Sequence, residues 1–322
     1  MIAARSLVRT FRRRVPRGGV RWGHSYLETV VALDDVSFEV AQGEIVGYVG
    51  SNGAGKSTTV KCLTGILVPT SGTVRVAGFV PHLNRTRNAH NVGVVFGQKS
   101  QLWWDVSARV SYDFLKSLYG LSTPDFTQRV AVLSEALGLD FLDVPVRQLS
   151  LGQRMRADLA AALLHSPRVL FLDEPTIGMD FESRIRLREF ILSQNAAERT
   201  TVFLTTHDLE DINRMASRVL VLEEGRLIFD GTLDALKAEY APTRTITVDL
   251  SEPVQALNLP EQIASTRVAE HTWHIDLPRT LDLRAVLERI PAALIRDVGV
   301  TEVSLDEVVR NLRVARGGFK AT

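Results

Sequence analysis

Residues 45–58 constrain the fold of this chain more than any other part of its sequence. The apolar run Ile45–Val49 is typical of a buried β-strand, and the loop after it fits the pattern G-x-x-x-x-G-K-[ST]. A Thr-rich helix start follows. Strand, loop and helix in this order predict a loop that wraps around phosphate groups, and they disfavour a chance glycine turn. The loop and the helix start consist of Gly50, Ser51, Asn52, Gly53, Ala54, Gly55, Lys56, Ser57 and Thr58.

The residue types of this loop suit phosphate chemistry. Glycines let the backbone come close, so that successive N–H groups and the helix N-terminus point at phosphate oxygens. We predict that Lys56 supplies a positive charge to the β- and γ-phosphates and that the hydroxyl of Ser57 ligates Mg²⁺.

A second apolar strand ends in two adjacent acids. Asp173 and Glu174 follow the run Val169–Leu172, and Pro175 stops the strand. Alone, such a pair is more often a solvated strand end than a catalytic pair. Parallel α/β sheets present the carboxyl ends of their strands to ligands, and a phosphate loop is present in the same chain. We therefore predict that Asp173 holds Mg²⁺, directly or through water, and that Glu174 polarises an attacking water.

Strand and helix patterns alternate through most of the chain, which predicts an α/β fold with a mainly parallel sheet. Further strands are predicted at Thr73–Val76, Val92–Phe96, Val202–Thr205, Val219–Leu222 and Leu227–Phe229. An amphipathic helix is predicted between Gly152 and Ser166, because apolar residues recur there every four positions, and Ser166-Pro167 ends it. Past about residue 240 prolines and short alternating stretches predict a small α+β domain, with helical patterns near 281–290 and 305–313.

Composition excludes several classes of protein. The 322 residues are 45% hydrophobic and 23% charged with a net charge of +1, so the chain is globular and nothing in its bulk charge demands nucleic acid. The one cysteine, Cys62, cannot form an intrachain disulfide, which fits a reducing cytoplasm. No apolar run is long enough to span a bilayer, and the start lacks the apolar segment of a cleaved signal.

The first 27 residues are strongly basic. No acid precedes Glu28, whereas the segment contains Arg5, Arg9, Arg12, Arg13, Arg14, Arg17 and Arg21. This pattern is compatible with contact to anionic lipid headgroups or another acidic partner, and equally with a solvated basic loop.

Residues 149–153 open the amphipathic helix that precedes the strand carrying Asp173, and here the chain resembles the nucleotide-binding subunit of ABC transporters. The family signature LSGGQ reads LSLGQ, with Leu151 in place of the first glycine. The family's other motifs follow in order: Gln98 resembles the Q-loop glutamine, Ile177–Asp180 the D-loop, and His207 the switch histidine. The resemblance covers about residues 5–235. Residues 95–105 and 149–156 further resemble bacterial ABC-2-type exporter ATPases.

The resemblance implies a P-loop NTPase fold of the ABC ATPase type, with a mixed sheet core, an antiparallel β subdomain and a helical subdomain. We expect this nucleotide-binding domain at 1–240, with the helical subdomain at about 100–165 and a basic inserted loop at 12–28. A small α+β accessory domain is expected at 241–322, with a role in dimer stability or regulation.

The resemblance also implies the site. ATP and Mg²⁺ are the expected cofactors; Glu174, His207 and Gln98 are the expected catalytic residues, and Ser57, Gln98 and Asp173 the metal ligands. Ser150, Gly152 and Gln153 are expected to contact the ATP bound to a second copy of the chain, so that two copies close head to tail on two ATP molecules and open after hydrolysis.

An aromatic residue near the N-terminus stacks on adenine in this family, and two candidates compete. Tyr26 lies 24 residues before Gly50, as in short family members, whereas Phe11 resembles the end of the first strand. We favour Phe11, and ordinary packing is the alternative for both.

Trp103 and Trp104 follow Gln98 where the family contacts its membrane partners. Adjacent tryptophans are equally compatible with a core position, but a Trp-Trp-Asp loop is typical of an exposed interface hot spot, and we favour docking. We therefore expect the ATPase subunit of a transporter, and we favour an exporter. We expect it to bind integral membrane permease subunits at the cytoplasmic face of the membrane and to have no nucleic acid partner. The alternative is a soluble ABC ATPase acting on ribosomes or DNA, which the single cassette and the short intervening segment disfavour. A non-hydrolysing regulatory subunit would lack Lys56, Asp173, Glu174 or His207, and all four are present.

Overall fold

The computed structural model describes residues 1–16, 25–97, 99–206, 208–260, 262–301, 303 and 305–315. It divides the chain into two compact units, Met1–Gly231 and Thr232–Thr322. None of the helices in these described ranges combines the length and the apolar character that a membrane span requires.

A six-stranded sheet forms the centre of the first unit. Its strands are β3 Ile45–Val49, β5 Val92–Phe96, β6 Val169–Asp173, β7 Thr201–Thr205, β8 Arg218–Glu223 and β9 Arg226–Gly231. Their order across the sheet is β5-β6-β7-β3-β8-β9, with β9 antiparallel to β8 and the other neighbours parallel. All five residues of β3 are buried, as expected for a central strand covered on both faces.

An antiparallel sheet of order β2-β1-β4 joins this centre; its strands are β1 Ile2–Pro16, β2 Ser25–Val40 and β4 Ser71–Val76. The prediction of an inserted loop at residues 12–28 was wrong for the described part of that range. Arg12 pairs with Thr29 and Pro16 with Ser25, so β1 and β2 continue as a two-stranded hairpin. Long arginine side chains tolerate this geometry because they extend into solvent while the backbone groups pair across the strands.

The helices described in the first unit are α1 Lys56–Leu63, α2 Arg85–Ala89, α3 Ala108–Tyr119, α4 Thr123–Leu137, α5 Leu151–Leu163, α6 Phe181–Glu198 and α7 Leu209–Met215. Alternate residues of the central strands point to opposite faces of the sheet and pack into two different hydrophobic cores. Leu170 and Leu172 of β6 pack with the helices α3–α6. Val169 and Phe171 pack with α1 and the antiparallel sheet.

The second unit contains α8 Leu233–Tyr240, an antiparallel sheet of order β11-β12-β10-β13, the short α9 Arg284–Leu287 and α10 Leu305–Ala315. The strands are β10 Thr243–Leu250, β11 Ala264–Arg267, β12 Thr272–Pro278 and β13 Ile295–Thr301. The division falls before α8 and not after residue 240 as expected from the sequence. The reason is that α8 packs on α10, where Asn311 donates a hydrogen bond of 2.9 Å to the carbonyl of Tyr240.

Candidate nucleotide-binding site

The phosphate loop lies between the end of β3 and the start of α1, and two of its glycines are required by close backbone contacts. A Cβ atom on Gly50 would lie 2.0 Å from the carbonyl oxygen of Leu222, and one on Gly55 would lie 2.5 Å from that of Ala32. Gly55 also has a φ of +112°, which side chains disfavour. The loop is therefore held between β2 and the end of β8, with room only for glycine at these points.

Lys56 begins α1 and is 7% exposed. Its Nζ atom donates to the carbonyl oxygens of Gly50 at 2.8 Å and Ser51 at 3.1 Å, which holds the ammonium group against the loop. The hydroxyl of Ser51 donates in turn to Oε1 of Glu223 at 3.1 Å. The lysine and the loop backbone thus form one braced unit at the N-terminus of a helix, the position where proteins bind phosphate.

Asp173, the last residue of β6, is contacted on both carboxylate oxygens. The hydroxyl of Ser57 donates to Oδ2 at 3.0 Å, and the hydroxyl of Thr205 donates to Oδ1 at 2.5 Å. Sequence reasoning missed Thr205. The available signal was its position at the end of β7, the neighbour of β6, where strand ends meet at one edge of the sheet.

Glu174 adopts a left-handed backbone conformation with a φ of 55°, which is uncommon for a residue with a side chain. Its N–H donates to the carbonyl of Thr205 at 2.9 Å. A Cβ atom on Gly97 would lie 2.6 Å from the carbonyl oxygen of Glu174, so the backbone before the predicted Gln98 passes close to it. Strained backbone of this kind clusters at functional sites, where the surroundings hold it in place.

These residues fit ATP and Mg²⁺. Ser57 and Asp173 bring two oxygen atoms within 3.0 Å of each other, and Mg²⁺ is commonly held by one or two protein oxygens together with phosphate oxygens and water. In the described part of the chain no group of three or more His, Cys, Asp or Glu side chains forms a separate metal cluster.

The signature segment forms the N-terminal cap of α5. Gln153 N donates to Oγ of Ser150 at 3.1 Å, and Ser150 N donates to Oε1 of Gln153 at 2.9 Å, which is a complete capping box. Leu151 packs on the D-loop, because a Cβ atom on Gly178 would lie 2.2 Å from its Cδ2 atom. Gly152 lies beside Asp180, the N-cap residue of α6. The signature segment and the D-loop are thus in direct contact within one chain.

Gln98 and His207, both predicted as catalytic, lie outside the described residues. A residue that the sequence did not single out, Asp211, lies under the segment before His207. It is fully buried and accepts hydrogen bonds from Thr176, Arg188 and Thr206, at 2.5, 2.6 and 3.3 Å. Asp211 therefore links the segment after Glu174 to the end of β7.

Phe11 and Tyr26 both lie on the hairpin of β1 and β2, at different distances from the phosphate loop. Phe11 pairs with Val30, two residues from the Ala32 carbonyl that contacts Gly55, whereas Tyr26 is six residues from it. At about 3.3 Å per residue these separations along β2 are roughly 7 and 20 Å. The Phe11 ring is 36% exposed, with the Arg9 guanidinium 4.6 Å from its centroid.

Trp103 and Trp104 are 49% and 51% exposed. The Trp103 ring lies 4.8 Å from that of Phe114, itself 46% exposed, so these aromatic rings form an open surface patch. The guanidinium of Arg154, on α5, lies 5.2 Å from the Trp104 ring centroid.

The segment before these tryptophans is fixed to α5 by a buried acid. Oδ1 of Asp158 accepts hydrogen bonds of 3.0 Å from Ser100 Oγ and from the N–H of Gln101. Burial raises the pKa of Asp158 to about 6, although these two hydrogen bonds favour the charged form. The helix that begins with the signature segment therefore also holds the exposed aromatic patch.

The sequence of this chain is similar to those of known transporter proteins. A family model described as ABC transporter matches residues 33–177. The chain is 35% identical to the daunorubicin resistance ATP-binding protein DrrA3 of Streptomyces coeruleorubidus over 297 residues, which cover 87% of this chain and 90% of that protein. It is 38% identical to the Nod factor export ATP-binding protein I of Paraburkholderia xenovorans over 232 residues, which cover 71% of this chain and 75% of that protein.

A solved structure is similar across most of its length. The match is to cbiO1 of Clostridium perfringens, part of the ABC transporter complex cbiONQ, with a TM-score of 0.60 and 26% identity. It covers 74% of this chain and 90% of that chain.

Proposed function

This chain belongs to the ABC transporter family as an ATP-binding, ATP-hydrolysing subunit, and from that premise we propose that it drives an exporter from the cytoplasmic face of the cell membrane. Two copies close head to tail on two ATP molecules, and separate permease subunits carry the substrate. Export is favoured over import because relatives named for drug resistance and for Nod factor export align with most of the chain.

The observation that carries this proposal is the joining of the phosphate loop to Asp173 through the Ser57 hydroxyl, with Glu174 next in sequence. Ser57 and Asp173 would hold Mg²⁺, which when bound would supply positive charge to the phosphate groups. Glu174 accepts a proton from the water that attacks the γ-phosphorus. The bond from that phosphorus to the bridging oxygen breaks, and ADP and inorganic phosphate are formed.

The remaining predicted site residues take supporting roles in the proposal. Phe11 stacks on adenine. Its exposed ring supports this role, as does its position on β1 opposite Val30, close to the phosphate loop. Gln98 completes the metal site, and His207 contacts the γ-phosphate. These two assignments rest on the family resemblance.

The signature segment serves the second copy. The Ser150 hydroxyl accepts a hydrogen bond from Gln153 N, and among the described residues no acceptor takes its proton. That proton and the N–H groups at the start of α5 are suited to an anion such as the γ-phosphate of ATP on the partner copy. Hydrolysis removes this bridging phosphate, so the two copies separate.

Permease subunits dock on the patch formed by Trp103, Trp104 and Phe114. Three exposed aromatic rings in one patch resemble the aromatic anchors of protein interfaces. The solved relative cbiO1 is itself part of a transporter complex, which supports such a partner here.

Affinity purification tests the proposal. The tagged chain, recovered from detergent-solubilised membranes of its native host, is expected to bring stoichiometric polytopic membrane proteins with it, identified by mass spectrometry. Trp103→Ala with Trp104→Ala is expected to lose them, whereas Val268→Ala, at an equally exposed apolar residue, is expected to keep them. Recovery only from the soluble fraction, with ribosomes, DNA or no partner, would overturn the transport proposal and leave the ATPase assignment intact.

A further inference from the structure

The outer part of the β1–β2 hairpin has two faces with different charge balance. Opposite residues of an antiparallel pair, and alternate residues of one strand, share a face. Phe11 pairs with Val30 and Arg13 with Glu28, so these four residues form one face. The other face, here called the basic face, consists of Thr10, Arg12, Arg14, Leu27, Thr29 and Val31.

The arginines of the first face are compensated. Arg13 Nε lies 2.7 Å from Oε2 of Glu28. Arg9, next to Phe11 on this face, donates to the carbonyl of Val68 at 2.8 Å and places its guanidinium over the Phe11 ring. The positive charge of this face is therefore balanced or engaged within the unit itself.

The basic face lacks such compensation. Arg12 and Arg14 are exposed, and within the described ranges neither makes an ion pair. Two exposed aliphatic side chains lie on the same face: Leu27, opposite Arg14, at 63%, and Val31, opposite Thr10, at 50%. The basic face thus combines two exposed cations that have no carboxylate partner in the described ranges with two exposed aliphatic side chains, a combination suited to a surface that is both anionic and apolar.

We propose that the basic face is a direct contact site for anionic phospholipid in a membrane surface. Such a surface offers phosphate groups to Arg12 and Arg14 and an acyl boundary to Leu27 and Val31, which is the combination that interfacial segments use. The contact is separate from permease docking, which uses the aromatic patch. It orients the ATPase on the membrane without a protein partner.

The composition of the face favours lipid over single-stranded nucleic acid. Nucleic acid sites pair arginines with aromatic side chains on which bases stack. Among the described residues the basic face contains no aromatic side chain, and Phe11 lies on the opposite face with the Arg9 guanidinium over its ring.

Vesicle co-sedimentation of the full chain tests this contact and needs no permease. The probes are phosphatidylcholine vesicles with and without phosphatidylglycerol. The wild type is expected to bind the anionic vesicles at low salt and scarcely the neutral ones. Arg12→Gln with Arg14→Gln is expected to lower the partition coefficient about 25-fold, at roughly fivefold for each arginine near an anionic surface.

A matched control removes the same charge from the same strand. Arg5 and Arg13 are both exposed and both ion-paired, with Glu39 and Glu28. Arg5→Gln with Arg13→Gln is expected to lower binding clearly less than the Arg12 and Arg14 variant does, because it weakens the overall attraction without removing a direct contact to lipid phosphate. For the apolar part, Leu27→Ser is expected to weaken the binding that survives high salt, whereas Leu83→Ser, at a residue 73% exposed, is expected to leave it unchanged.

Thermal melting and ATPase activity of each variant establish that it is folded. An equal loss in both double variants would overturn the proposal, because the attraction would then be a property of overall charge. Absence of wild-type binding to anionic vesicles, or binding of single-stranded RNA in place of vesicles, would also overturn it.

Discussion

The hydroxyl of Ser57 donates a hydrogen bond of 3.0 Å to Oδ2 of Asp173, although 116 positions separate the two residues in the chain. The contact joins the first turn of α1 to the end of β6. Thr205, at the end of β7, fixes the other oxygen of the same carboxylate at 2.5 Å. Three separate elements thus fix the Ser57 and Asp173 oxygen atoms at the place where we propose that Mg²⁺ binds with the phosphates.

Ser57→Ala is expected to remove one of these two metal oxygens. Magnesium-dependent ATP hydrolysis should fall by about 10²–10³-fold, the loss typical of removing one group that stabilises developing charge. Binding of ATP in EDTA should change little, because the loop backbone and Lys56 remain. ATPase rates across a magnesium titration, together with nucleotide binding by fluorescence, measure both quantities. Unchanged magnesium dependence would contradict the assignment of Ser57.

Ser51→Ala is the matched control in the same loop. The Ser51 hydroxyl donates to Glu223, which places it in the bracing of the loop and outside the metal site. This variant should lose less than about 1 kcal/mol of stability and keep the magnesium dependence of the wild type.

Gly178→Ala tests the contact between the D-loop and the signature segment. Its new Cβ would lie 2.2 Å from Cδ2 of Leu151, and its φ is +68°. We expect a loss of about 2–3 kcal/mol in the free energy of unfolding, from crowding and from left-handed strain together. With Leu151→Gly the crowding disappears, so the same substitution should then cost only about 1 kcal/mol. Urea unfolding of the four proteins gives the coupling energy.

Gly120→Ala separates the cost of left-handed backbone strain from the cost of crowding against Leu151. Gly120 has nearly the same φ, +66°, but a Cβ atom there would meet nothing within 4 Å. Its cost should therefore equal that of Gly178→Ala in the Leu151→Gly background. Additive costs at Leu151 and Gly178 would show that the contact carries no energy.

The raised pKa of Asp158 is expected to make the free energy of unfolding depend on pH. Burial raises its pKa in the folded chain to about 6, above the 3.8 of an exposed Asp, so the folded state binds the proton more tightly than the unfolded state. Stability should consequently decrease as the pH rises through this interval, by about 3 kcal/mol in total. Asp158→Asn keeps an oxygen for Ser100 and Gln101 but does not titrate. Its stability relative to wild type, from urea unfolding, should rise by that amount between pH 4 and pH 7.

Asp143→Asn should show the opposite sign. A hydrogen bond from Arg109 holds the pKa of the exposed Asp143 below its usual value. That carboxylate stabilises the fold above its unfolded pKa and loses this contribution as the pH falls. The Asn variant should therefore lose stability relative to wild type as the pH rises. If the stability of both Asn variants relative to wild type changed in the same direction with pH, the opposite pKa shifts assigned to Asp143 and Asp158 would be contradicted.

The phosphate loop and the acids of β6 were predictable because each is a local pattern. A strand followed by a glycine-rich loop and a helix, or a strand that ends in two acids, is visible within about 15 residues of sequence. The comparisons confirm the ABC ATPase fold that the ordered motifs implied. The capping box at Ser150 and Gln153 was likewise present in the spacing of the signature segment.

Thr205 and the Leu151–Gly178 contact were not predictable in this way. Thr205 reaches Asp173 only because β7 lies beside β6, and strand order follows from tertiary packing that no local pattern encodes. The hairpin at residues 12–16 and 25–28 was missed for a related reason. Its arginines suggested a loop, whereas pairing across the two strands decides the backbone there.

Glu174→Gln tests the central claim most directly, namely that ATP hydrolysis at this site controls closure of two copies of the chain. With saturating ATP and magnesium, the variant should bind ATP and run as a dimer by light scattering. Its hydrolysis should fall by about 10²–10⁴-fold, because Gln cannot accept the proton of the attacking water. Glu135→Gln, at an exposed acid on α4, should behave as wild type in both assays. Wild-type turnover of Glu174→Gln, or a monomer in saturating ATP, would contradict the account.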